Sequence, residues 1–157
     1  MKNIIRQMIG FTFGIPYIFM IWYLSIFIER EKALQIIGHH ITRLAKGSLR
    51  YWVPYIRDAS EFDLLRSKMK GNLKFWSPLF DVAIVKDDHN TFKVHVQNCP
   101  FCEAFIKLGM PELAPYVCEG DWEKAKSNKN KWLFERKHQI GTGDSFCDHT
   151  YKRIVRP

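Results

Sequence analysis

The sequence predicts an α+β protein with an N-terminal transmembrane helix and juxtamembrane helices, followed by an antiparallel sheet of about four strands with helices on one face. Three observations support this fold class: an uncharged apolar run at residues 8–28, apolar residues at helical spacing after it, and alternating apolar and polar residues in the second half. The 157 residues suffice for one compact domain in addition to an anchor.

The N-terminal run, MIGFTFGIPYIFMIWYLSIFI, contains 21 residues without a charge. A helix of this length crosses a hydrocarbon layer of about 30 Å, so we predict residues 1–29 to be a membrane anchor. A cleaved signal peptide would have a shorter apolar core and a small-residue cleavage site. A buried or membrane-surface helix is the stronger alternative, because Gly10, Gly14 and Pro16 interrupt the run.

The distribution of charge predicts where the protein resides. Lysine and arginine are more numerous just after the apolar run than before it, which favours a single-pass topology with the soluble domain in the cytoplasm. A reducing compartment also fits four cysteines without an obvious disulfide framework. The net charge of +8 is scattered and no nucleic-acid motif accompanies it, so the expected partner is the membrane, together with other membrane subunits, and not nucleic acid.

Residues 30–72 are predicted to form a juxtamembrane helical segment. Leu34, Ile37 and Ile41 recur at helical spacing within residues 31–49. A second helix fits residues 59–69, with Gly71 as its predicted end.

Residues 73–157 are predicted to form the α+β domain. FDVAIVK and TFKVHVQ read as a hairpin, and WLFERKHQI and SFCDHTYKRIV read as two further strands around a glycine turn. Between the two strand pairs lie two short predicted helices. The first begins at Asn98-Cys99-Pro100, and the second runs from Pro111 to Cys118 with Gly120 as its predicted end.

Three of the four cysteines fall within NCPFCEAFIKLGMPELAPYVCEGD, residues 98–121, and four interpretations of them stay open. CPFC is the spacing of a redox pair, but it follows an antiparallel hairpin and not the first strand of a thioredoxin-like unit. Zinc bound through Cys99, Cys118 and Cys147 has suitable ligand types without the paired spacing of a zinc cage. The thiols also fit burial as small apolar groups, or use as a nucleophile with helpers.

The segment from residue 92 to 153 resembles the L-2-amino-thiazoline-4-carboxylic acid hydrolase family. The matching positions are Cys99, Pro100, Phe101, Leu108, Gly109, Pro111, Glu112, Leu113, Cys118, Asp121, Phe134, Glu135, Arg136, Gly141, Gly143, Cys147 and Asp148. The resemblance implies a hydrolase that opens the C–N bond of a cyclic amidine in a small carboxylate by cysteine chemistry, with no cofactor. The alternative is a non-catalytic accessory or ligand-binding subunit of a membrane complex.

The predicted catalytic residues are Cys99, Cys118, Asp121, Cys147 and His149, and Asp148 is a second candidate for proton transfer. Cys147 and His149 share one face of the last strand, which favours their pairing. Arg136 interrupts an apolar stripe, so we expect it either to pair with a buried carboxylate or to bind the substrate carboxylate. Cys102 has no counterpart in the resemblance and is predicted to be dispensable.

Overall fold

The computed structural model describes residues 2–155, so Met1, Arg156 and Pro157 at the ends of the predicted segments lie outside the described residues. These residues form an α+β fold, as predicted. The helices are α1 (Lys2–Leu24), α2 (Arg30–Ser48), α3 (Phe62–Trp76), α4 (Pro100–Lys107) and α5 (Ala114–Lys126). The strands are β1 (Val82–Asp87), β2 (Thr91–Val96), β3 (Trp132–Glu135) and β4 (Cys147–Arg153). Short 3-10 turns include Leu49–Tyr51, Ala59–Glu61, Pro111–Leu113 and Ile140–Thr142.

The four strands form one antiparallel sheet in the order β1-β2-β4-β3, which confirms the predicted strands. Alternate residues of β2 are buried, so one face of the sheet packs on the core. In the central pair, Cys147 lies opposite Val96 and His149 lies opposite Val94. The sheet therefore presents Cys147 and His149 on its inner face. β3 ends at Glu135, so the predicted strand face does not extend to Arg136 as regular strand.

Two helices continue through glycines that were predicted to end them. α3 runs past Gly71 to Trp76, and α5 runs past Gly120 to Lys126. Gly120 is buried against α2, where a Cβ would lie 2.6 Å from Cβ of Ala45. The prediction at Gly120 was wrong because a glycine inside a helix also serves close helix packing. At Gly71, an added Cβ would meet no atom of the described residues within 4 Å, and α3 simply continues through it.

One hydrophobic core joins the N-terminal helices to the sheet. It contains Ile21 of α1, Ile37 of α2, Phe105 of α4 and Tyr151 of β4, all of them buried. The predicted segments 1–29, 30–72 and 73–157 therefore share a single core in the described part of the chain. This arrangement brings side chains from the first fifty residues next to the cysteine-rich helices.

α1 is long and apolar enough to cross a membrane, and it also packs against the rest of the protein. The helix ends at Leu24, four residues before the end of the apolar run. One of its faces is buried: a Cβ at Gly10 would lie 2.3 Å from the carbonyl oxygen of Pro100, and Tyr17 is only 8% exposed. The opposite face exposes large apolar side chains, namely Ile4, Ile5, Met8, Ile15, Phe19, Met20, Trp22 and Tyr23.

An ion pair also fastens α1 to the domain. The guanidinium of buried Arg6 donates to both carboxylate oxygens of Asp81, at 2.5 and 2.6 Å, and its Nε donates to the carbonyl of Pro78. A bidentate pair of this kind fixes both the position and the orientation of the helix. The buried contacts thus extend along α1 from Arg6 to Ile21.

Candidate active site

A cavity of about 420 Å³ lies between the helices and the inner face of the sheet. Its walls come from α1, α2, α4 and α5, from β2 and β4, and from the segments that join them. The lining includes Cys99, Cys118, Asp121, Cys147 and His149. The structure therefore brings the five residues predicted as catalytic to one cavity.

The sulfur atoms of the four cysteines form a buried cluster beside this cavity. The Sγ atoms of Cys102 and Cys118 are 3.7 Å apart, Cys99 is close enough to Cys102 to raise its pKa, and Cys147 is close enough to Cys118 to lower its pKa. All four are free thiols. Cys102, predicted to be dispensable, belongs to the cluster too: its side chain in the first turn of α4 faces α5, where its Sγ also lies 3.6 Å from the carbonyl oxygen of Ala114.

Cys118 is the acidic member of the thiol cluster. Hydrogen bonds from Cys102 and Cys147 stabilise its thiolate and lower its pKa from 9.0 to about 5, although burial opposes ionisation. The hydrogen bond to Cys118 and burial raise the pKa of Cys147, and the hydrogen bonds to Cys118 and Cys99 raise the pKa of Cys102. These shifts favour ionisation of Cys118 over that of Cys102 and Cys147.

His149 lies between the thiols and an acidic side chain. Its Nε2 is 3.6 Å from Oδ2 of Asp121, and its ring is close enough to Cys147 to favour the thiolate of that residue. Both ring nitrogens are buried and make no hydrogen bond of ordinary geometry within the described residues. An imidazole with free nitrogens beside a thiol and a carboxylate is suited to accept and donate protons.

Arg136 pairs with the carboxylate of Asp121, which is the first of the two alternatives expected from the sequence. Its Nη1 donates to Oδ2 of Asp121 at 2.7 Å, and its Nη2 donates to the carbonyl of Cys118 at 3.0 Å and to Gln139 at 2.6 Å. The side chain is 1% exposed, and its guanidinium lies over the ring of Trp122. Arg136 is not among the described residues that line the cavity. Its contacts hold Asp121 and the backbone of Cys118 in place.

Asp148 faces away from the cavity and holds a loop. Its Oδ1 accepts the backbone N–H groups of Lys137 and His138, at 2.8 and 2.7 Å, and its Oδ2 is 3.4 Å from Nζ of Lys93. Burial alone would raise the pKa of Asp148, but the amides of His138 and Lys137 and the charge of Lys93 lower it. Since neighbouring strand residues point to opposite faces, Asp148 is separated from Cys147 as the alternation predicts.

Metal binding has no geometric support in the described part of the chain. Among residues 2–155, no three or more His, Cys, Asp or Glu side chains are arranged so that they could hold a metal ion. The hypothesis of zinc bound through Cys99, Cys118 and Cys147 can be tested by measuring the zinc content of the purified protein.

The fold and the site define an α+β protein with a thiol-lined cavity. A sequence model described as L-2-amino-thiazoline-4-carboxylic acid hydrolase matches residues 17–151, and the chain belongs to this family of hydrolases. The match covers most of the chain and not only residues 92–153, so part of α1 and all of α2 are within the family region. Comparison with curated proteins gives no significant match.

Several cavity residues were not predicted from the sequence. Phe13 was assigned to the anchor and Trp52 to the juxtamembrane segment 30–72, yet both line the cavity together with Phe80 and Phe101. The loop sequence YWVPYI carried a usable signal, because aromatic side chains in an irregular segment need a buried place to pack. The sequence did not indicate which residues these aromatic side chains contact, because the contacting residues come from segments far apart in the chain.

Proposed function

We propose that the protein is a cysteine-dependent hydrolase that opens the C–N bond of a cyclic amidine, with Cys118 as the nucleophile. The observation that carries this proposal is the acidic thiol of Cys118 at the wall of a cavity, with a neutral thiol and an imidazole beside it. Cys147 has the nearer imidazole but the higher pKa, which favours it as a proton donor and favours Cys118 as the attacking group.

The proposed reaction begins with formation of a bond between the Cys118 sulfur and the amidine carbon. The electron pair of the C=N bond moves to nitrogen, which takes a proton from His149 or Cys147. The ring C–N bond then breaks as the other amidine nitrogen forms a C=N bond to the same carbon, and the departing ring nitrogen takes a proton and leaves as an amine. Water then adds to the same carbon and gives up its two protons to the site as a carbonyl forms. The bond between this carbon and the Cys118 sulfur breaks, which restores the Cys118 thiolate.

Asp121 and Arg136 support this chemistry in different ways. The Asp121 carboxylate lies 3.6 Å from Nε2 of His149, where it stabilises the imidazolium that forms during proton transfer. Arg136 is a positioning residue, because its guanidinium binds Asp121 and the carbonyl of Cys118. With these partners, the geometry favours the internal ion pair over capture of a substrate carboxylate by Arg136.

Hydrolysis by the purified full chain tests the proposal. The substrates are L-2-amino-thiazoline-4-carboxylate and 2-amino-2-thiazoline, its parent without the carboxylate, and the product is detected by mass spectrometry as a gain of one water. We expect Cys118→Ser to lower turnover more than about a hundredfold. Val85→Ser is the control, since Val85 is exposed on β1 outside the cavity, and it should retain turnover. Unchanged turnover in Cys118→Ser, or no hydrolysis of either compound by the unaltered protein, would contradict the proposal.

We also propose that the protein attaches to a membrane through the exposed apolar face of α1. The buried face of this helix contacts the domain from Arg6 to Ile21, so the packed helix lies along the domain. Crossing a bilayer would require α1 to separate from α4, whereas lying in the membrane surface would not. The packing therefore favours the membrane-surface alternative over the single-pass anchor.

The proposed location of the domain is the cytoplasmic side. A Ser127→Cys variant places a thiol at an exposed position near the end of α5, while the four natural cysteines are buried. An impermeant maleimide should label this variant only after the cells are permeabilised. Strong labelling in intact cells would place the domain outside.

The accessory-subunit alternative is favoured by the same exposed face of α1, because apolar helix faces also pack against other membrane helices. Blue native electrophoresis after mild detergent extraction separates the two interpretations. Migration as a monomer would favour the free-standing hydrolase, and a large stable assembly would favour the accessory subunit.

A further inference from the structure

The cavity beside the thiols has an apolar end built from aromatic side chains. The ring centroids of Phe13 and Phe101 are 4.8 Å apart, those of Phe101 and Phe80 are 6.2 Å apart, and those of Phe80 and Trp52 are 5.4 Å apart. These four rings form a continuous wall that begins on α1. Leu44 and Leu49 add aliphatic surface to the same cavity.

The part of the cavity lining that the structure describes contains no cationic side chain that would bind an anion. The lining residues in the described part of the chain include Asp121, His149 and three thiols, but no lysine or arginine. Arg136 is already bound to Asp121 and outside the lining. A carboxylate in this cavity would lie in a mostly apolar setting, beside the acidic thiol of Cys118 and with no lysine or arginine of the described lining to pair with it, which is unfavourable.

We propose that the cavity binds a substrate that has an apolar body and no carboxylate; the body packs on the wall of Phe13, Phe80, Phe101 and Trp52 while the reactive C–N group lies at Cys118. The reactive group rests on the proposed hydrolase function, whereas the apolar body rests on the cavity alone. A volume of about 420 Å³ lies within the range of small-molecule sites, about 300–1,000 Å³, and mostly apolar walls with a few polar groups are typical of them.

Alkylation of Cys118 in the full chain tests this substrate class without requiring turnover. The probes are N-ethylmaleimide and N-hexylmaleimide, and peptide mass spectrometry gives the rate at Cys118 alone. Each buried methylene contributes about 0.8 kcal/mol, so the hexyl reagent should react at least about tenfold faster than the ethyl reagent, after correction for their rates with glutathione. Uncharged iodoacetamide should likewise react faster than anionic iodoacetate.

Two tryptophan variants separate cavity binding from partition of the longer reagent into detergent. Val117→Trp fills the cavity and should abolish the hexyl preference while N-ethylmaleimide still reacts, and Leu49→Trp should do the same. Val85→Trp is the matched control, because Val85 is exposed on β1, and it should keep the preference.

Three results would overturn the inference: a hexyl-to-ethyl ratio equal to that of glutathione, faster reaction with iodoacetate than with iodoacetamide, or no reaction of Cys118 with any reagent. The outcome is independent of the hydrolase proposal. A hexyl preference without hydrolysis of any amidine would support the apolar binding site and contradict the proposed hydrolase function. Hydrolysis without the hexyl preference would support the hydrolase function and contradict the proposal of a substrate with an apolar body.

Discussion

At the scale of single residues, Arg136 links the thiol-bearing helix to the loop that follows β3. Its guanidinium binds Asp121, the carbonyl of Cys118 and Gln139 with almost no exposure to solvent. Removing one member of a buried pair leaves the other charge uncompensated.

We therefore expect Arg136→Met to lower the free energy of unfolding by about 3–5 kcal/mol, because Asp121 loses its buried partner. Urea denaturation of the full chain in mild detergent measures the change. Lys126→Ala is the control: Lys126 is 79% exposed in its pair with Glu123, and its loss should cost less than about 1 kcal/mol. Equal losses in the two variants would show that Arg136 does not hold Asp121 in the way its contacts indicate.

Asp148 gives a second prediction at this scale, with a pH dependence. Asp148→Ala leaves two backbone N–H groups without their acceptor, so it should cost about 2 kcal/mol or more at pH 7. Asp148→Asn keeps an acceptor oxygen and should cost less. Because the pKa of Asp148 is lowered by folding, its contribution is complete above the ordinary aspartate range and is lost as the pH falls through the lowered pKa.

The difference between the unaltered protein and Asp148→Asn should accordingly shrink as the pH is lowered from about 7 toward 3. Urea midpoints measured across this range give the comparison. A difference that grows on acidification would mean that the carboxylate is not stabilised by its amide and Lys93 contacts.

At the scale of elements, α5 is the helix that carries Cys118 and Asp121, and its position depends on contact with α2. The two helices approach closely at Gly120, where a Cβ would lie 2.6 Å from Cβ of Ala45 and 2.9 Å from the backbone nitrogen of Lys46. Any side chain at this position must push the helices apart, and with them the thiols.

Gly120→Ala should therefore destabilise the protein by about 1–3 kcal/mol through overpacking. Gly71→Ala is the matched control, because Gly71 also lies inside a helix but has no atom within 4 Å of an added Cβ. That change should stabilise by up to about 1 kcal/mol through helix propensity. Thermal unfolding of both variants measures the contrast, and destabilisation by both or by neither would be inconsistent with the packing described.

These two glycines also mark what the sequence can predict. Alternation predicted all four strands, and the shared face of Cys147 and His149 followed from it because a strand has a strict period of two. Helix ends were less predictable. Gly71 and Gly120 were both expected to end a helix, but the sequence does not distinguish a glycine that ends a helix from one that packs against another helix, as Gly120 does.

The candidate site was predictable only in part. Its polar residues lie within one half of the chain, where the family resemblance exposes them. Its aromatic wall joins Phe13 to Phe101 across 88 positions, which no local pattern relates. The place of Cys102 in the thiol cluster was not predictable, because it results from the packing of α5 against α4.

At the scale of the whole molecule, α1 has two roles on its two faces. One face completes the core and the cavity, and the other exposes large apolar side chains such as Phe19 and Trp22, at 66% and 67%. An apolar surface of this extent on one side of a protein is typical of a membrane or protein contact.

The Phe19→Glu, Trp22→Glu double variant should reduce binding to phosphatidylcholine–phosphatidylglycerol vesicles more than about a hundredfold, because each side chain loses roughly 1.5–3 kcal/mol of apolar burial. Vesicle flotation measures the bound fraction. Phe75→Glu is the control, since Phe75 is 75% exposed on α3 away from this face, and it should bind normally. Normal binding by the double variant would exclude the α1 face as the attachment surface.

The most direct test of the account is the pH dependence of Cys118 alkylation by iodoacetamide in the full chain, followed at that residue by mass spectrometry. Only the thiolate reacts, so the rate reports its ionisation. With the pKa of Cys118 lowered to about 5 by its thiol neighbours, the rate should rise through a midpoint near pH 5 and stay constant above about pH 6. A midpoint at or above the ordinary range of cysteine, about pH 8.5, would contradict the assignment of Cys118 as the reactive thiolate.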